Sequence, residues 1–175
     1  MILSKEQLLT SLLAEIEKSL EIATRAANDA KDLATHEQSK PETQYDTVGL
    51  EASYLAHGQS QRVAELKLAL LQWQKLRGVL IDQHKPIEFG SLIQLQNDNG
   101  DSSSSISSTN VNNHASWFLL GPAMGGLKLK QNNNLITVIT DSSPLGKLLI
   151  GKYLDDEITL TLQGKKIDYE IVEIA

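Results

Sequence analysis

Leu135-Ile-Thr-Val-Ile-Thr140, followed by Ser143-Pro-Leu-Gly-Lys-Leu-Leu-Ile-Gly-Lys152, decides how the rest of this chain is read. The first run is apolar and β-branched, as a strand prefers. A Ser-Pro turn then opens a short apolar helix that ends on glycine. Pro144 suits the first helical position, where its missing N–H costs nothing. Ser143 is the natural N-cap, because its hydroxyl can accept from an orphan amide. Gly151 suits the left-handed position after the last turn. Leu145, Leu148 and Leu149 fall at helical spacing and need a surface to bury against.

Working outward, Glu157–Gln163 and Ile167–Ile174 alternate with period two around a Gly164-Lys165 turn, behind the acidic pair Asp155-Asp156. Upstream, Ser91–Asn97 and Ser116-Trp-Phe-Leu-Leu120 read as strands. Residues 98–113 between them are Ser- and Asn-rich, with almost nothing to bury, and are read as a flexible loop. Gly121-Pro-Ala-Met-Gly-Gly126 has phosphate-loop glycine spacing but lacks the Gly-Lys-Ser/Thr ending, so it is read as a turn. Residues 81–175 are thus expected to form an α+β domain, with several strands and one short helix.

The first 80 residues have a different period. Ser4 and Gln7 make a capping box, and residues 4–35 read as one helix of about 45 Å. Leu9, Leu13, Ile16, Leu20, Ala23, Ala27, Ala30 and Ala34 repeat at the 3.5-residue period of a coiled-coil seam. Residues 36–49, with Ser39, Pro41, Thr43 and Gly49, break the pattern. From about Leu50 to Leu80 it returns as Ala52, Ala56, Gln59, Val63, Leu66, Leu70, Trp73 and Leu80. Large residues lie at the outer ends of both helices and alanine toward the break. The gradients match only in an antiparallel hairpin, so residues 1–80 are read as one. A homodimeric coiled coil is the alternative use of such a seam.

The chain has 175 residues and a net charge of −6, with 41% hydrophobic and 5% aromatic residues and no cysteine. Disulfides and thiolate metal sites are excluded. An acidic chain argues against autonomous DNA binding, which needs a basic face toward phosphates. No run approaches the roughly 18 apolar residues that span a bilayer, and Met1-Ile-Leu-Ser-Lys-Glu6 is unlike a signal peptide. A soluble, cytoplasmic, monomeric protein is expected.

The stretch around Ser143–Lys152, with its preceding strand and closing hairpin, resembles the signature of the Gre family of bacterial transcript-cleavage and elongation factors. Ile87-Glu-Phe-Gly-Ser-Leu-Ile-Gln-Leu95 is similar to that family's opening strand, and the helical hairpin to its N-terminal arm. The resemblance implies an FKBP-like antiparallel sheet domain and an accessory factor rather than an enzyme. It implies docking at the rim of the RNA polymerase secondary channel, on the β′ subunit, with the hairpin in the pore. RNA would be met only inside that complex, and cleavage would belong to the polymerase active site. The matching motif residues Ser143, Pro144, Leu145 and Gly146 are the implied polymerase-binding positions.

Cleaving members of the family carry Asp-x-x-Glu-Asn-Ala-Glu-Tyr at the hairpin tip, where the acids help hold a Mg²⁺ shared with the polymerase. Here the matching string is Thr47-Val-Gly-Leu-Glu-Ala-Ser-Tyr54, so Ala52 and Tyr54 fit while Thr47 and Leu50 replace acids. Two readings stand. Asp46 and Glu51, with Glu42 as a third candidate, form a shifted acidic set for Mg²⁺, since that cation takes oxygen ligands. Alternatively Asp46, or Thr47, caps the second helix and Glu51 favours its positive end; the hairpin then occupies the channel without supporting cleavage.

Two further function classes are open to the sequence. A coiled-coil arm on such a domain could serve as an interaction adaptor for another protein. Prolyl isomerase activity follows only from fold analogy and needs an aromatic-lined pocket, whereas Phe89, Trp117, Phe118, Tyr153 and Tyr169 mostly sit on core-like strand patterns. His36, His57, His84 and His114 are scattered singly and are read as surface residues. Lys18, Arg25, Lys31, Arg62 and Lys67 alternate with acids and are read as a solvated helix face.

Overall fold

The computed structural model describes residues 4–35, 48–79, 82–97 and 115–175. In chain order they form α1 (Lys5–Thr35), α2 (Val48–Lys75), β1 (Leu92–Asn97), β2 (Ala115–Gly121), β3 (Lys128–Gln131), β4 (Asn134–Thr140), α3 (Pro144–Leu149), β5 (Glu157–Leu162) and β6 (Lys165–Ile174). The chain divides into two units, Thr10–Lys75 and Met1–Leu9 with Leu76–Ala175. The expected loop 98–113 and the expected tip, with Glu42, Asp46 and Thr47, lie outside the described residues.

The seam of the first unit follows the coiled-coil period closely. On α1, Leu13, Ile16, Ala23 and Ala30 are buried and Leu20, Ala27 and Ala34 half-buried. On α2, Ala52, Leu66 and Trp73 are buried, with Ala56, Gln59, Val63 and Leu70 half-buried between them. The two helices lie side by side, so that Ser19, Ile22, Ala23 and Ala26 line one groove with Gln59, Arg62 and Leu66. α2 ends at Lys75, short of the expected Leu80, because the chain turns at Leu76–Gly78 with Gly78 at φ 82°. That conformation is nearly free only for glycine.

In the second unit, six strands form one sheet in the order β3-β4-β2-β1-β6-β5. The sheet is mixed rather than wholly antiparallel, because β2 and β4 pair parallel, with Trp117 beside Ile136 and Gly121 beside Thr140. No helical crossover is needed. The loop after β2 carries the chain past the place of β4 to the edge, where β3 runs back antiparallel to β4. Gly126 N–H donates to Val138 O (2.8 Å) and Val138 N–H to Leu127 O (2.8 Å), fixing that passage. Asn132 and Asn133, at φ 48° and 69°, make the tight turn into β4.

One face of the sheet holds Ile93, Leu95, Leu120, Ile139, Ile158, Ile171 and Ile174, closed by Leu149 of α3 and by Ile87. Ile171 and Ile174 share this face although three residues apart. Leu95 pairs with Ile171 and Gln94 with Glu173, so Val172 is an extra residue and the alternation shifts by one. Leu92, Trp117, Leu119, Ile136 and Val138 are buried on the alternate strand positions.

The start of α1 is tied to the sheet. Ser4 N–H donates to Gln131 Oε1 (3.0 Å), and Gln131 Nε2 donates to Ser4 O (3.2 Å) and Gln7 Oε1 (2.9 Å). Gln7 N–H reaches Ser4 Oγ at 3.5 Å, the outer limit of one arm of the expected capping box. The reciprocal arm comes from Gln131, at the end of β3, rather than from Gln7. Burial holds the Lys5 ammonium below the usual lysine range, against the opposing pull of Glu88, while it donates to Val79 O (2.9 Å).

Candidate functional site

The strand-turn-helix stretch is built around Ser143. Its backbone is extended (φ −72°, ψ 152°), as an N-cap requires. Its hydroxyl accepts from Gly146 N–H (3.0 Å) and donates to Thr140 O (2.6 Å). Gly146 is buried against the end of β4, where a Cβ would lie 2.0 Å from the Thr140 carbonyl oxygen. After α3, Gly151 takes φ 81°, its N–H donates to Ile87 O (2.9 Å), and Ile87 N–H donates to Lys152 O (2.7 Å). The helix is therefore capped at one end by a side chain and tied at the other to the segment leading into β1.

Of the four motif residues, only Pro144 is exposed; Ser143 and Leu145 are half-buried and Gly146 is buried. Leu145 and Leu148 pack against the core cluster. The residues that turn apolar surface outward come just after: Ile150 is 45% exposed and Tyr153 50%. The sequence reading left Ile150 without a role, although it lies off the spacing of Leu145, Leu148 and Leu149, and grouped Tyr153 with aromatics on mostly core-like patterns, whereas it is exposed. The acidic pair works as turn chemistry. Asp156 Oδ2 accepts from Tyr153 N–H (2.8 Å), and Asp155, at φ 67°, donates its N–H to Ile171 O (2.9 Å).

On the hairpin, the described residues nearest the expected tip open α2. Glu51 is exposed in its first turn, where the helix dipole favours a negative charge. Leu50 is 55% and Tyr54 69% exposed, while Ala52 faces the seam and Ser53 Oγ donates back to Gly49 O (2.8 Å). Leu50 and Ser53 thus stand where the cleaving tip motif has its two glutamates. No group of three or more acids or histidines gathers among the described residues. Glu51 is the one carboxylate on the first two turns of α2, and these turns by themselves do not fit a Mg²⁺ site, which draws on several oxygen ligands.

The remaining candidates fall out as ordinary structure. Phe89, Phe118 and Tyr169 pack against the core cluster and Trp117 is buried. Burial raises the Tyr169 phenol above its ordinary range. His57 and His84 are exposed; His36 and His114 lie outside the described residues. Arg25 pairs with Glu21 on α1, and Arg62 with Glu65 at 3.2 Å on α2, each pair exposed on its own helix. No described helix is long and apolar enough to cross a membrane.

Residues 82–175 match the family described as "Transcription elongation factor, GreA/GreB, C-term". The chain is 32% identical over 155 residues to the transcription elongation factor GreA of Psychromonas ingrahamii, covering 85% of this chain and 93% of that protein. Among solved structures, the GreA factor homolog 1 of Thermus thermophilus is 18% identical, with 97% of this chain and 94% of that one covered and a TM-score of 0.35. The corresponding Thermus aquaticus protein is 22% identical, with 95% and 90% covered and a TM-score of 0.37.

Proposed function

The chain belongs to the GreA/GreB family of transcription elongation factors, and from that premise we propose that it binds bacterial RNA polymerase at the secondary channel and places its helical hairpin in the pore. The sheet unit docks on the β′ rim through the surface around α3. Pro144, Ile150 and Tyr153 are its exposed apolar groups there. Ser143 and Gly146 contribute indirectly, by holding α3 in place.

Inside the channel the hairpin occupies the pore and modulates elongation without supplying the carboxylates for cleavage. The observation that carries this reading is Leu50, more than half exposed at a position where cleaving members bear glutamate. Any Mg²⁺ at work belongs to the polymerase, and any RNA cut is cut by the polymerase. The competing reading uses Asp46 and Glu51, with Glu42, as a shifted acidic set.

A cleavage assay on a stalled, backtracked elongation complex separates the two. The proposal expects no cleavage above that of polymerase alone, and none gained or lost in an Asp46→Ala/Glu51→Ala variant. Cleavage by the unmodified protein that disappears in the variant establishes the shifted acidic set instead.

A further inference from the structure

α2 carries a second heptad stripe. Leu50, Tyr54, His57, Gln61, Ala64, Leu68 and Leu71 step by four and three, as the seam does, but start two residues earlier. At 100° per residue this sets them on the side of α2 opposite the seam. All seven are exposed, and Leu68 and Leu71 are each 57% open to solvent. A helix in a simple hairpin needs one apolar stripe, with charges on its far side. Here the stripe itself has no acidic, lysine or arginine side chain from Leu50 to Leu71; Glu51 and Glu65 lie along one edge of it and Lys67 along the other. An uncharged stripe of this length at coiled-coil spacing is built to receive another helix.

We propose that the outer face of α2 pairs with the same face of a second copy of this chain, antiparallel. The pattern complements its own reversal, as a two-fold interface requires. Its ends are large and apolar and its middle is polar. Aligned antiparallel, Leu50 meets Leu68 of the second copy, bulky Tyr54 meets small Ala64, and His57 meets Gln61. A parallel pairing instead stacks Tyr54 on Tyr54 and Ala64 on Ala64. It also puts both sheet units, which follow directly after Lys75, at the same end. Polar residues within such a stripe fix register at a cost in affinity. A contact of one helix pair lies at the small end of specific interfaces, so association falls in the micromolar range. On the reading proposed above, a hairpin paired in this way is one that is not in the channel.

The test uses the full chain without polymerase, so its failure leaves the proposed function untouched. Sedimentation equilibrium up to about 100 µM should show a monomer–dimer equilibrium. A Leu68→Glu/Leu71→Glu variant should stay monomeric with an unchanged circular dichroism spectrum. The chain has no cysteine, so single-cysteine variants report the register. Leu50→Cys and Leu68→Cys should each fail to crosslink alone under mild oxidation, yet form a mixed disulfide when combined. A monomer at every concentration overturns the proposal. So does a dimer that survives the double glutamate variant, or a Leu50→Cys protein that crosslinks to itself.

Discussion

A Cβ placed on Gly146 would lie 2.0 Å from the carbonyl oxygen of Thr140, so the first turn of α3 can sit against the end of β4 only if residue 146 has no side chain. Ser143 completes the joint by bonding both Thr140 O and Gly146 N–H. Gly146→Ala must push the helix off the strand, a backbone displacement that overpacking series put at about 1–3 kcal/mol. Ser143→Ala loses the cap for about 1 kcal/mol. Urea unfolding should rank the two in that order, with Gly146→Ala the more damaging.

The bond set between Gln131 and Ser4 predicts a long-range effect from a surface residue. Gln131→Ala removes three hydrogen bonds to the start of α1 and should cost about 1 kcal/mol net. Gln131→Glu keeps an acceptor for Ser4 N–H but loses both donors, and should fall between. Hydrogen exchange should show the change at the first turn of α1, far in sequence from the substitution.

Gly58 sits inside α2, and a Cβ there would meet nothing within 4 Å. Gly58→Ala should therefore stabilise the hairpin by about 0.8–1 kcal/mol, the glycine-to-alanine difference in a helix interior. Thermal melting of the variant checks this directly.

Lys5 and Tyr169 tilt stability in opposite directions at alkaline pH. Burial holds the folded lysine's pKa below its ordinary value of 10.5, so between the two values the unfolded state binds more protons and stability rises with pH. Burial lifts the folded tyrosine's pKa above its ordinary value of 10.0, so stability falls as pH rises from the unfolded toward the folded value. Lys5→Met should remove the rising contribution below pH 10.5 and Tyr169→Phe the falling one above pH 10.0. Melting temperatures of the three proteins across that range should diverge accordingly.

Much of this architecture is written locally and so was legible. The seam residues of α1 and α2, the Ser143 cap and the Gly151 stop follow from periods of a few residues. What was not legible depends on distant partners. β3 escaped notice because only Leu129 of its four residues is buried, although Asn132-Asn133 before a β-branched run was a usable turn signal. The parallel pairing of β2 with β4 leaves no trace in alternation, which is the same for either strand direction. Gln131 replacing Gln7 in the cap of α1 is invisible across that sequence distance. At the candidate site, the motif residues that resemblance points to turned out largely internal, and the exposed Ile150 and Tyr153 lie just beyond them. The outer stripe of α2 was in the sequence throughout, at the spacing of the seam but offset from it by two residues.

The measurement that bears most directly on the account is competition on a backtracked elongation complex between this protein and a cleavage-competent Gre factor. The account predicts that the chain binds the complex, suppresses the other factor's cleavage in proportion to its concentration, and loses that effect in a folded Ile150→Asp/Tyr153→Asp variant. Cleavage by the competing factor that continues undiminished at saturating concentrations, with no binding of this chain to polymerase, would contradict it.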